Sequence, residues 1–414
     1  MKVLWFEVTV PGRYKNNGAP VGGWQDSLEY IVRQHSDIEL YIAFEGKEGD
    51  QVMMIDNVTY IPIIPKYKYI DRLYNRWTYE RSRDILVALA AEVVKNVNPD
   101  IIHVFGSEWC WGQVQTKTQI PVVIHMQGSM PPYHNAKFPP GYSSRDIMHL
   151  LGFNLKARIG TFIEQHKAIT RVAQEEETLK VVNYYMGRTK WDHSIVKLYN
   201  PSAHYYYCSE ALRPSFWGIT QVWKPQQGAK IRIVTTGMTS LLKGLDTILR
   251  TAHRLKKTGF DFEWICAGRM DKRIKKLIEE KEETTYEANN VCIAGFLDSE
   301  KLTNLLLSAD MYVHTAYIDN SPNAVCEAQL LGLPVIATFV GGIPSLINDG
   351  EDGILVPAND PFSMSYEIMK LADDKKRQID MGVKARQKAL KRHDTDTIYH
   401  DLLACYSDII KRNK

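Results

Sequence analysis

Two doubly wound, Rossmann-like α/β domains facing each other across a cleft are the fold that this sequence predicts. Three observations carry the prediction. Short apolar, β-branched runs alternate with longer helical patterns from end to end, which implies parallel sheets covered by helices on both faces. The alternation occurs twice, with about six strand-like runs in each half. The chain is 414 residues long, enough for two domains with separate cores.

In the first half the strand-like runs are 3–9, 38–43, 59–63, 100–105, 121–125 and 204–208, with helical patterns at 24–35, 72–96 and 145–180. In the second half the runs are 231–236, 262–267, 291–295, 310–314, 334–338 and 353–356. Helices fit at 242–258, 272–283, 299–308, 323–331 and 361–372. The segment 213–229 holds Pro214, Pro225 and Gly228 and reads as a linker between an N-terminal domain, 1–212, and a C-terminal domain, 230–393. The tail 394–414 reads as a helix returning to the first domain.

Composition excludes several classes. A hydrophobic fraction of 44% with 24% charged residues belongs to a globular chain, not a disordered one. Net charge is +3, and residues 1–200 carry 23 basic and 21 acidic side chains, so no basic segment marks a nucleic-acid binder. No two of the six cysteines form a CxxC pair, which suits neither a zinc cluster nor a disulfide scaffold; they read as small buried hydrophobes. The four-residue apolar run before Glu7 is short for a signal sequence, and no stretch is long enough to span a membrane. A cytoplasmic location follows as the expectation.

In open α/β sheets ligands bind beyond the carboxyl ends of the strands, so the loops there are the places to search. After the first strand, Gly22-Gly23-Trp24 opens a helix. Paired glycines there allow a ligand to approach a helix N-terminus, although a plain turn explains them equally. After strand 231–236 come Gly237 and then Lys243-Gly244; a lysine at a helix entry can pair with phosphate, and a solvated charge is the plainer reading. The stretch 310–356 is the most specific. Asp319 precedes a helix for which Ser321 is the expected N-cap and Pro322 the first residue. Glu327 lies one and a half turns in, and the amides of Asn323, Ala324 and Val325 suit a diphosphate. Two carboxylates around a phosphate-seeking helix end make sense as acceptors from the hydroxyls of a ribose and a sugar. The one DxD, Asp394-Thr395-Asp396, reads as a helix cap, so no metal site is expected.

These residues resemble the retaining glycosyltransferases of family 4, which have the GT-B architecture. Asp319 and Glu327 have the family's spacing of acidic residues, with Asp in the first position where Glu is usual. Cys326-Glu327-Ala328, Gly332-Leu333-Pro334-Val335 and Gly341-Gly342 also match. In the phosphate loop Gly237, Lys243 and Gly244 match, while Met238 stands in the arginine position; Arg269, after Gly268, is the candidate replacement. In the first half, Gly22-Gly23 and the strand-end His103 and His125 match more loosely. Met186-Gly187-Arg188-Thr189-Lys190-Trp191-Asp192 resembles a GRTxWD variant of one subgroup associated with bacterial polysaccharides, although Thr189 with Asp192 is also a plain helix start.

The resemblance implies transfer of a sugar from a UDP-, GDP- or ADP-sugar to a saccharide or lipid-linked saccharide hydroxyl. The expected outcome is retention at the anomeric carbon, without metal or other cofactor. Lys243 would stabilise the leaving phosphate, Glu327 bind ribose, Asp319 bind the donor sugar, and His125 contact that sugar. Trp24, His103, Trp109, Tyr133 and Arg188 are acceptor-side candidates. A nucleotide-sugar epimerase or hydrolase, or a non-catalytic binding protein, is the alternative. Residues 64–84 interleave basic and aromatic side chains, so a peripheral membrane contact is a candidate partner; a solvated face with buried aromatics is the plainer reading.

Overall fold

The computed structural model describes residues 1–16, 23–228, 230–237 and 239–414. They form two compact units: Met1–His134 with Leu155–Pro214 and His393–Lys414, and Asn135–Asn154 with Ser215–Arg392.

Unit 1 is built on strands β1 (Lys2–Glu7), β2 (Glu39–Glu45), β3 (Met53–Ile55), β4 (Val58–Ile63), β5 (Ile101–Phe105), β6 (Val122–His125), β7 (Tyr184–Gly187) and β8 (His204–Tyr207). Their order is β3-β4-β2-β1-β5-β6-β7-β8, parallel except for the short β3. Every residue of β5 and β6 is buried, as apolar runs between two helical layers must be. Its helices include α1 (Trp24–Arg33), α2 (Tyr69–Tyr74), α3 (Glu80–Val97), α4 (Leu155–Val181) and α5 (Lys190–Tyr199). The expected helix 72–96 is divided at 75–79 into α2 and α3. The expected helix 145–180 is divided where Gly152 turns at φ +52°.

Unit 2 has strands β9 (Ile231–Thr236), β10 (Phe262–Ala267), β11 (Val291–Gly295), β12 (Met311–His314), β13 (Val335–Thr338) and β14 (Ile354–Val356). All are parallel, in the order β11-β10-β9-β12-β13-β14. This is the 3-2-1-4-5-6 winding, with its direction reversing between β9 and β12. Helix α6 (Leu245–Lys257) buries Leu245, Ile248, Leu249, Ala252 and Leu255, the i, i+3, i+4, i+7 stripe of a core-facing helix. Helix α7 (Asn323–Leu331) buries every residue from Val325 onward and stops at Gly332, whose φ of +81° suits a helix end.

Three segments group otherwise than their position in the chain suggests. Residues 135–154 belong with unit 2: Tyr142 joins its core, Ile147 and Leu150 pack on that core, and Lys281 holds Asp146 at 2.7 Å. The expected linker is pinned to unit 2 by Trp223, whose indole donates to the Ala309 carbonyl at 2.6 Å; Ala229 lies outside the described residues. After α8 (Lys375–Arg392) the chain returns to unit 1 as α9 (Thr395–Arg412), where Tyr406 accepts from the Trp5 indole at 3.0 Å.

Candidate active site

In unit 2 the winding reverses between β9 and β12, so the loops after these strands flank the crevice where such sheets bind ligands. They are laced together. Thr315 Oγ1 donates to the Lys243 carbonyl at 2.8 Å, and Tyr317 N–H donates to the Leu242 carbonyl at 2.8 Å. Gly244 has φ +71°, and a Cβ there would run into the Thr315 carbonyl, so only glycine allows this approach. The lacing brings Lys243 Nζ to 2.6 Å from Asp319 Oδ2, while His314 Nε2 lies 3.2 Å from the same oxygen. Burial raises the Asp319 pKa, but His314 and the Lys243 ammonium outweigh it and pull it down to about 2. Asp319 is therefore a fixed anion, with Lys243 partly open to solvent beside it.

The paired glycines have a structural role here. Gly342 N–H donates to the Asp319 carbonyl at 3.0 Å, and a Cβ on Gly341, at φ +51°, would strike that carbonyl. They let the loop after β13 seat the Asp319 backbone. At α7 the N-cap is Pro322, not the expected Ser321, and Asn323 is the first helical residue. Pro322 carries extended backbone angles (φ −64°, ψ 116°), and its carbonyl accepts from Val325 N–H at 3.0 Å. The Val325 amide is thus spent within the turn. Glu327 is buried on the same helix.

Other donor-side candidates are less concentrated. Gly237 is exposed at φ +79° and ties its amide to the Ala267 carbonyl. Gly268 donates to the Gly295 carbonyl at 2.7 Å. Arg269 is exposed with its guanidinium over Phe296, 6.0 Å from the ring centre. Met238 and Gly22 lie outside the described residues.

In unit 1, Gly23 caps α1 with extended backbone, and Trp24 stands edge-on to His125 with ring centres 4.9 Å apart. His125 is fully buried at the end of β6. Burial, helped by the Arg188 charge, lowers its pKa to about 3, so it is neutral at physiological pH. His103 stacks on it at 5.4 Å, and its Nδ1 lies 2.5 Å from the Tyr406 hydroxyl, which stitches it to α9. Arg188 is buried and paired with Glu210 at 3.2 Å. Trp109 packs with Tyr79 and Tyr133 with Trp191.

Sequence reasoning missed three groups. His314 gives a strand-end signal, as the last residue of β12. Glu108 and Glu175 give almost none, being 67 positions apart. Glu175 accepts from Ser107 Oγ and from Met130 N–H, both at 2.6 Å, clamping the loops that follow β5 and β6. Glu108 sits with its carboxylate against Gly106 and Gly128, 2.8 Å from where a Gly128 Cβ would be. Burial, then repulsion by Glu108, raises the Glu175 pKa to about 7. The Glu108 pKa is raised by burial against the pull of Arg171 and nearby backbone amides.

Residues 221–388 match the sequence model of the family described as glycosyl transferases group 1. This stretch is a group 1 glycosyl transferase domain. It contains Lys243, Asp319, His314 and Glu327. A D-inositol 3-phosphate glycosyltransferase of Corynebacterium kroppenstedtii is 30% identical over 186 residues, 44% of this chain and 41% of that relative. The colanic acid biosynthesis glycosyltransferase WcaL of Salmonella typhimurium, itself a putative assignment, is 26% identical over 35% of this chain and 37% of its own. The chain thus matches these curated relatives over about two fifths of their length. Among solved structures, sucrose-phosphate synthase of Thermosynechococcus elongatus has a TM-score of 0.70 over 99% of both chains at 16% identity. HepE of Anabaena, solved with UDP-glucose, has a TM-score of 0.65 over 99% of this chain and 100% of its own at 15% identity. The group 1 domain and its partner unit thus share the two-domain GT-B fold with these proteins.

Proposed function

We propose that this chain is a glycosyltransferase that moves a sugar from a nucleoside diphosphate sugar to an acceptor hydroxyl, with retention and without a metal cofactor, in polysaccharide or glycoconjugate synthesis. The observation that carries the reading is the Lys243–Asp319–His314 cluster at the strand reversal of a group 1 domain. Departure of the nucleotide develops negative charge on a phosphate oxygen, and a preorganised cation stabilises that charge. Lys243 supplies it, with the Asn323 and Ala324 amides at the positive end of α7. Asp319, held as an anion, orients Lys243 until donor arrives and then accepts from sugar hydroxyls. Glu327 accepts from the ribose. The acceptor is a saccharide, free or lipid-linked.

A calorimetric screen of UDP-, GDP- and ADP-sugars tests the donor side, with UDP-glucose first because HepE was solved with it. Binding of none of them removes the reading. NMR of the anomeric proton during turnover, with and without a chelator, tests retention and metal independence. Rapid epimerisation or hydrolysis of the donor without acceptor would replace transfer by the rival chemistry.

A further inference from the structure

Helix α4 contains 27 residues, yet none from 155 to 174 is buried; the first buried side chain is Glu175. Leu155, Ile159, Phe162 and Ile169 fall at i, i+4, i+7 and i+14 and are all exposed, Phe162 at 62%. They form one apolar stripe facing solvent, the reverse of what a packed helix shows. A second exposed group lies on α2 and the turn after it: Tyr69 at 78%, with Ile70, Tyr74 and Trp77 at about one half. Tyr69, Tyr74 and Trp77 are therefore not the buried side chains that the plainer reading of that segment required, while Tyr67 and Tyr79 are half-buried. The two groups meet at Tyr79, whose ring lies under Lys167 and Arg171 of α4, and at Arg83, which pairs with Glu177 of α4 at 2.9 Å.

Charge decides what covers this face. Residues 64–84 hold six basic and three acidic side chains, and residues 153–172 hold four basic and one acidic. Asp71 pairs with Arg81 and Asp84 with Arg83, which neutralises those bases as well as the acids and leaves the two segments net +6. The remainder of residues 1–200 is net negative, so the even balance of the first half conceals a cationic patch around the apolar stripe. Apolar side chains that sink into the acyl boundary, ringed by Lys and Arg, fit an anionic bilayer.

We infer that the outer face of α4 and the α2 turn together form a docking surface for an anionic lipid bilayer. The unit lies on the membrane and does not cross it: among the described residues no helix is long and apolar enough to span one.

The test is co-sedimentation of the full chain with vesicles of phosphatidylcholine alone or with 30% phosphatidylglycerol, at low and high salt. Binding should require the anionic lipid and weaken with salt. The double variant Ile159→Ser/Phe162→Ser should lower partitioning by about tenfold or more. Arg72→Ala/Arg76→Ala should do so less strongly and flatten the salt dependence. These side chains are exposed, so the variants should keep wild-type donor binding, which serves as the folding control. No binding of the wild type to anionic vesicles at low salt overturns the inference, as does equal binding by the Ser variant. So does a wild-type dimer in light scattering that the Ser variant dissolves without any vesicle binding, since a second copy then covers the stripe. Sedimentation needs no turnover, so failure here leaves the transferase reading standing, and absence of donor binding leaves this one standing.

Discussion

Each unit carries a buried carboxylate beyond its central strands, and the two are driven in opposite directions. Asp319 of unit 2 is pulled down to a pKa of about 2, whereas Glu175 of unit 1 is pushed up to about 7. Burial opposes the charged form at both sites. At Asp319 a lysine and a histidine overcome it. At Glu175 the largest influence after burial is repulsion by a second carboxylate, Glu108, and the hydrogen bonds from Ser107 and Met130 do not compensate. Unit 2 thus holds fixed charge at Asp319 and Lys243, while unit 1 shifts its buried carboxylates toward the neutral form and keeps His125 uncharged.

Breaking the charged side should give the largest effect. Lys243→Ala removes the cation, and kcat should fall by ~10² or more; a coupled assay of nucleotide release measures it. Gly341→Ala keeps every charge but forces a side chain against the Asp319 carbonyl in left-handed backbone. It should cost at least about 2 kcal/mol of stability in unit 2, read by thermal unfolding. Glu327→Ala should weaken nucleotide binding by ~1–3 kcal/mol in calorimetry.

The contrast in pKa sharpens into opposite pH slopes. The Asp319 contribution to stability is complete above the ordinary carboxylate value and is lost as pH falls through about 2. Glu175 acts the other way: the unfolded chain ionises it first, so stability of unit 1 falls as pH rises from the ordinary value of 4.5 through about 7. Glu175→Gln should remove that loss. Hydrogen exchange in peptides from 101–130 should slow relative to wild type at pH 8, with no difference at pH 4.5. An equal effect at both values would mean that Glu175 is not the titrating group.

The strands were readable because a parallel sheet buried on both faces demands mainly apolar runs, and β5, β6, β12 and β13 are such runs, each with one polar residue. Tyr184–Gly187 escaped notice as β7 because its aromatic residues run straight into the Arg188–Asp192 motif. The charged α8 offered too few apolar positions to mark it. Residues 135–154 carry no local sign that they pack on the second core; Tyr142 and Ile147 find it only through the tertiary fold. At the site, Lys243, Asp319 and Glu327 were visible as motif positions, but not that Lys243 and Asp319 are partners across 76 residues. That pairing depends on strand order, which no local pattern encodes. Glu175 was hidden differently: it begins the run Glu175-Glu176-Glu177, which resembles a solvated face, and only its first member is buried.

The return of α9 to unit 1 has a consequence for how the molecule is made. Tyr406 binds the Trp5 indole and approaches His103, so the innermost strands of the first unit wait for a helix translated after the whole second unit. On the ribosome the usual order, N-terminal domain first, is therefore inverted in its last step: unit 2 can finish while the sheet of unit 1 still lacks a covering. A nonsense mutation that removes α9 would spare unit 2 and strand unit 1 with its central tryptophan uncovered, a natural substrate for chaperones and proteases.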